Sequence, residues 1–423
     1  MTKLALSHYF TPYTRSEDNA LAVALGGAGD YYDRRYLYPY PGGADGPGSP
    51  TTYGGLLRDR PIPRIPLSGD FEYQDMQWEI ATAKTYGLDG FTVDLLEIDT
   101  TGGSNFSGIG QNARRVKKLL NAADADGSFT IVLMPDMSGW HAQSASAVGT
   151  TCANLAAAHA SVHREGGKVV LAPFYPETKT ASFYNDVATV MTGLGQPPVF
   201  VPCFLNYGGN VAAYKSTLGA KMIGASNWGN RSPAGNAVAT NTALAADAHG
   251  RGLIWMQPIS FQDVRPDQFV YAEPENTHNL RLTWQAARDG NAEWVQCVTW
   301  NDFSEGTQFV PSRDHGAVLT ELNGWFIAWW KTGSMPTIVH DSLILTHRKH
   351  PYAATATGGM SHYMSLWQTT AAVNTVECFA RLASSGTVTL TSGSNVSIVT
   401  GSGIQIITAP LVVGSAPYAT LSR

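Results

Sequence analysis

Between residues 298 and 307 the chain reads VTWNDFSEGT, which sets Asp302 and Glu305 three residues apart at the end of an apolar run. Side chains at that spacing in a turn or a first helical turn can face one cavity. Two carboxyls that share a cavity, one kept protonated and the other ionised, make the acid and base of glycoside hydrolysis. A purely local reading competes with this: Asp302 would cap the following turn through backbone N–H groups, and Glu305 would be a solvated charge. The flanking Trp300 and Asn301 and the strand-end position favour chemistry. Other reactive side chains also leave apolar runs. Asp94 ends GFTVD and Asp136 ends LMPD. An unpaired buried carboxylate is costly, so each is expected to meet a cavity or a hydrogen-bond partner. His8 and Tyr9 close the first run, Glu177 follows the fourth in FYPETK, and Asn227 and Trp228 follow the sixth in GASNWG. These residues, together with Trp300 and Asn301, are the expected substrate contacts, with Trp228 a stacking platform. Trp255, and Trp325, Trp329 and Trp330 on one helix, are expected in the core.

Eight short β-rich runs must position these groups: 4–10, 90–96, 129–137, 168–175, 198–207, 221–228, 252–260 and 293–302. Helical patterns separate several of them, as in QDMQWEIATAKTYG, where Met76, Ile80 and Ala83 share a face. Near-continuous apolar strands alternating with helices indicate a parallel sheet buried on both faces. Eight such units predict a closed (β/α)8 TIM barrel of the α/β class, with its site at the C-terminal strand ends. An open doubly wound sheet is disfavoured, because no Gly-rich phosphate loop follows the first strand. The long connection from Thr11 to about Asp70 carries Tyr31, Tyr32, Tyr36, Tyr38, Tyr40 and Tyr53, and is expected to form an ordered, lid-like segment. From about Ile338 the text alternates Thr, Val and Ile with Ser/Gly turns. The expected division is therefore a catalytic barrel over 1–337 and a small C-terminal antiparallel β-sandwich over 338–423.

Composition narrows the partners. Charged residues are 14% of the chain and the net charge is −5, against a usual charged share of about 25%. Without Lys/Arg blocks, nucleic acid and anionic membrane surfaces are excluded as partners. No apolar stretch is long enough for a membrane span. With 11 Trp, 18 Tyr and 15 Phe, the profile suits a neutral polar ligand such as a polysaccharide or oligosaccharide. Cys152, Cys203, Cys297 and Cys378 form no C-x-x-C pair, so neither a metal site nor a disulfide framework is expected. The start MTKLALSHYF reads as a strand. The expected location is extracellular with a secretion signal removed, or else cytoplasmic.

The motif TWND with a Glu three residues after the Asp resembles the signature of glycoside hydrolase family 71, the α-1,3-glucanases or mutanases. SHYF (7–10), GDFEYQDMQWEIATAKTYGLDGFTVD (69–94), LTHRKHPYAATATG and TVTLTSGSN extend the likeness along the chain. The resemblance implies a barrel enzyme that hydrolyses α-1,3-glucan with inversion, without metal or organic cofactor. In that reading Glu305 is the general acid and Asp302 the base or water-positioning group. The stretch Trp-Asn-acid-x-x-Glu-Gly-Thr is also similar to family 99 endo-α-mannosidases, which makes an α-mannan hydrolase the alternative. A carbohydrate-binding barrel without catalysis is a third reading, which retention of both carboxyls argues against. Family 71 members commonly follow TWND with a His-Tyr pair that this chain lacks. They often carry Asp where Asn227 stands.

Overall fold

Alternating burial around a closed ring of strands decides which side chains reach the site. The computed structural model describes residues 2–36, 57–96, 111–138, 144–355 and 364–423. Its strands are β1 (Leu4–Tyr9), β2 (Gly90–Leu95), β3 (Thr130–Pro135), β4 (Lys168–Leu171), β5 in two pieces (Pro198–Phe200 and Cys203–Phe204), β6 (Gly224–Asn227), β7 (Ile254–Ile259) and β8 (Trp294–Cys297). Each pairs in parallel with its neighbours, and β8 pairs with β1 through Leu4↔Trp294 to Ser7↔Cys297. Bridges Phe174↔Cys203 and Phe200↔Met222 span the break in β5, which falls at Pro202, a residue with no N–H to give the ladder. All eight expected strands are present in the expected order.

The helices are α1 (Phe71–Thr85), α2 (Gln111–Asp126), α3 (Ala145–Ala158), α4 (Ala181–Gly193), α5 (Tyr207–Leu218), α6 (Val238–Gly250), α7 (His278–Asp289) and α8 (Val318–Thr332). Side-chain caps define several starts: Asp70 accepts from the Tyr73 N–H, Ser144 from Ala147 and Asn206 from Gly209. Helix α8 ends at Gly333, whose φ of +75° is the left-handed stop that favours glycine. The period-2 alternation sorts the strand residues into two cores. Leu6, Val132, Val170, Val199, Val201, Met256 and Trp294 fill the barrel interior. Ala5, Tyr9, Phe91, Val93, Leu133, Val295 and Cys297 face outward and pack in the same core as Trp255, Trp284, Trp329 and Trp330. Among the described residues all four cysteines are buried and free.

The C-terminal β-domain comprises β9 (Ser342–His347), β10 (Thr375–Ser392), β11 (Asn395–Pro410) and β12 (Tyr418–Ser422), all antiparallel. It is one four-stranded sheet, and its register shifts between Leu382 and Gly386. Such irregularities bend a strand, and Val376, Cys378, Ala380, Leu382, Val388 and Leu390 from both sides of the shift share one apolar cluster. Phe379 points the other way and meets Trp325 and Phe326 of α8. Buried Glu377 accepts from Thr277 and, at 3.1 Å, from Arg281 of α7. The sheet is thereby fastened to the barrel's last two helices.

Within the Tyr-rich first connection, Tyr32 is buried and its hydroxyl donates to the Thr14 carbonyl. Tyr38, Tyr40 and Tyr53 lie outside the described residues. No helix among the described residues is long and apolar enough to cross a membrane.

Candidate active site

The C-terminal ends of β1, β2, β3 and β8 bring His8, Asp94, Asp136 and Asp302 together. Alternation explains three of them. His8 follows inward Leu6 by two residues, Asp94 follows Thr92, and Asp136 follows Val132 and Met134. The floor beneath is polar and tightly bonded: Gln296 donates to Thr92 Oγ1 at 2.6 Å and contacts the Met134 sulfur, which also lies 3.2 Å from His8 Nδ1. His8 Nε2 stands 3.7 Å from Asp94 Oδ2. Burial pushes His8 down to about 4, although Asp302 and Asp136 pull it up. The imidazole is therefore neutral at physiological pH. Burial raises Asp94 well above the usual carboxylate range, and the charges of Asp136 and Asp302 add to that rise. Its Oδ1 is buried without a hydrogen-bond partner among the described residues.

Asp302 and Glu305 sit in contrasting surroundings. Asp302 Oδ1 accepts from Ser304 N at 2.9 Å, Ser304 Oγ at 2.6 Å and Glu305 N at 3.1 Å, and these bonds favour its ionised form. Burial nevertheless raises it. The local capping role and a place in the acidic cluster are thus both real for Asp302. Among the described residues Glu305 has no such backbone donors; burial, and then the charge of Asp302, push it up to about 8 against the pull of Arg265. Arg265 forks onto it, with Nη1–Oε1 and Nη2–Oε2 both 3.0 Å, and also holds Asp263 at 2.7–2.8 Å. Fully buried Arg231 lies 3.9 Å from Asp263 and donates to the Trp228 carbonyl.

Sequence reasoning missed Asp263, Arg265 and Arg231. They come from the loops after β7 and β6, where FQDVRPDQF and NWGNRSP carry no pattern that separates them from surface charge. Trp228 stays half-buried at the exit of β6. Its ring meets His8 edge-on at 4.9 Å and Phe174 at 4.7 Å, so one side is already packed. Asn227 is half-buried and its Oδ1 has no hydrogen-bond partner among the described residues.

Four expected contacts are placed elsewhere. Tyr9 is one residue past inward His8, so it points to the helix layer, where its hydroxyl donates to Glu79 at 2.6 Å. Trp300 is buried in the same layer, 5.3 Å from Phe91. Asn301 ties down the start of the first connection, accepting from Phe10 N and donating to the carbonyls of Phe10 and Tyr13. Glu177 accepts from Leu205 N and Asn206 N through one oxygen and so anchors the entry to α5; its other oxygen is buried and unpartnered among the described residues. Among the described residues no group of three or more His, Cys, Asp or Glu could hold a metal ion.

A family model for glycosyl hydrolase family 71 matches residues 65–423. A comparison with curated proteins gives no match. Among solved structures, the family 99 endo-α-mannosidase of Bacteroides thetaiotaomicron is similar in fold, with a TM-score of 0.54 at 12% identity when in complex with BIS-TRIS-propane. A second structure of that enzyme gives 0.53 at 12% identity. Both alignments cover 78% of this chain and 97% of that one. The eight-stranded barrel, the clustered carboxyls at its C-terminal mouth and the match over most of the chain lead to one assignment: the protein belongs to glycosyl hydrolase family 71 and is a glycosidase acting on carbohydrate.

Proposed function

We propose that this glycosidase cleaves α-1,3-linked glucan with inversion, Glu305 acting as general acid and Asp302 as general base. The observation that carries the roles is the contrast in surroundings. Three donors converge on Asp302 Oδ1, whereas burial and the charge of Asp302 push Glu305 up to about 8, which favours its protonated form. Glu305 would protonate the leaving glycosidic oxygen. Asp302 would remove a proton from the water that attacks the anomeric carbon on the opposite face. The carboxyls Asp94, Asp136, Asp263, Asp302 and Glu305 face two guanidiniums and a neutral imidazole, so at least one of the acids is expected to retain its proton. Asp94 and Asp136 would hydrogen-bond sugar hydroxyls. The linkage rests on the likeness of the TWND-x-x-Glu stretch to α-1,3-glucanases. An insoluble glucan of this kind would place the enzyme outside the cell.

The similarity of the Trp-Asn-acid-x-x-Glu-Gly-Thr stretch to family 99 supports an endo-α-mannan hydrolase as the second reading. One experiment separates the two. The protein is incubated with insoluble α-1,3-glucan and, separately, with α-mannan, while reducing ends and anomeric configuration are followed by NMR. Release of the β-anomer first from α-1,3-glucan is expected. Release of the α-anomer first overturns inversion, and cleavage of mannan alone overturns the glucan assignment.

A further inference from the structure

The C-terminal chain does not stay with its own sheet. Between β9 and β10 it crosses back to the barrel, where Ser365–Leu366 runs parallel to Val270–Ala272 of the loop after β7. Ser365 N donates to the Phe269 carbonyl at 2.7 Å and Trp367 N to Tyr271 at 3.1 Å. Beyond it, Gln368 Oε1 accepts from Arg231 N and Thr370 Oγ1 from Ala234 N, both at 3.0 Å, in the loop after β6. The segment therefore spans two neighbouring strand exits and is held by backbone on both sides of Trp367.

The Trp367 ring lies over the Arg265 guanidinium, 5.0 Å from carbon to ring centroid, and the residue is still 44% exposed. Arg265 is the side chain that clasps Glu305. A large aromatic side chain left in solvent beside a carboxyl cluster gains little from folding. It gains much more when a pyranose lays its C–H face on the ring, because aromatic surface supplies most of the contact area while nearby polar groups orient the ligand. The cation fixes the ring's plane without covering all of it.

We propose that Trp367 is a specificity-determining residue that stacks on a sugar unit next to the bond cleaved at Glu305, so that the C-terminal region completes the substrate cleft. This rests on the reading of Glu305 as the acid and of a linear α-glucan as substrate. The site then needs at least one further sugar ring bound beyond the scissile bond, and short substrates lose that contact.

The test uses the full-length wild type, Trp367→Ala and Trp367→Phe, on a length series of α-1,3-gluco-oligosaccharides and a matching α-manno-oligosaccharide series. For the longer oligosaccharides that the wild type cleaves, Trp367→Ala is expected to raise KM about tenfold, the loss of about 1.4 kcal/mol of contact. The shortest cleaved member shows a smaller rise, Trp367→Phe falls between, and the pH profile of kcat stays in place. An unchanged KM overturns the proposal. So does a fall in kcat with a moved pH profile at constant KM, which would make Trp367 only a support for Arg265. If the wild type cleaves neither series, the substrate reading fails by itself. Trp367 is then judged by tryptophan fluorescence of Glu305→Gln titrated with both series. Quenching that disappears in Glu305→Gln/Trp367→Ala supports stacking; equal quenching in both proteins, or none, overturns it.

Discussion

Charge is concentrated in two parts of this barrel, and the two are organised in opposite ways. Under the first connection, beside α1 and α2, nearly every acid has its cation. Arg60 meets Asp30 and Asp33, Arg64 forks onto Asp75 at 2.5–2.6 Å, and Lys118 holds Asp70 and Glu72 at 2.6 and 2.9 Å. Arg115 lies 3.5 and 3.6 Å from Glu17 and Glu72. At the mouth, carboxyls outnumber cations, His8 stays neutral and Asp94 keeps an oxygen unpartnered among the described residues. Paired charges are held in one state and serve structure. Unmatched acids share protons, which is what acid–base chemistry needs.

Substitutions in either region separate the two arrangements. The largest effect is expected from Glu305→Gln, which should lower kcat about 10³-fold with Tm almost unmoved. A variant that keeps a tenth of wild-type activity would show that no proton comes from this residue. On the paired side, Asp75→Ala leaves the Arg64 side chain, only 9% exposed, without its carboxylate partner. It should cost about 3–5 kcal/mol in urea unfolding while the folded fraction keeps its kcat. Activity loss without destabilisation would erase the distinction between the two regions.

Arg265→Gln tests how the mouth is tuned. Arg265 pulls Glu305 down, so removing the cation should raise that carboxyl further. An acid must be protonated to work, so the basic limb of the pH–kcat profile should move to higher pH by about one unit; a limb that stays put denies Arg265 this role. The smallest effect concerns Glu79, the exception on the paired side, raised by burial to about 8 while accepting from Tyr9. A carboxyl raised above its usual 4.5 adds stability that is complete below that value and lost as pH climbs through 8. Glu79→Gln keeps an acceptor for Tyr9 and should flatten the fall in Tm between pH 5 and pH 8. Parallel Tm curves for variant and wild type would refute it.

Much of the barrel is legible in the sequence because its strands are continuous apolar runs, as strands buried on both faces must be. Asp94, Asp136 and Asp302 are legible as acids leaving such runs. The same alternation that turns His8 inward turns Tyr9 outward, so the period of two alone suffices to assign Tyr9 to the helix layer. Trp300 and Asn301 carry no such mark. Their partners Phe91, Phe10 and Tyr13 lie some 200–290 positions away in the chain, and nothing local signals that pairing.

The sequence by itself determined the eight strands, their order and four of the five acids at the mouth, because hydrophobic periodicity and motif spacing are local properties of the chain. Tertiary structure decided the state of those acids. Arg265 and Arg231 from two loops converge on Glu305 and its neighbour Asp263, and Trp367 from beyond β9 comes to lie over Arg265, only when the ring closes. Proton affinity depends on burial and on the distances between charges, and those exist only in the folded chain.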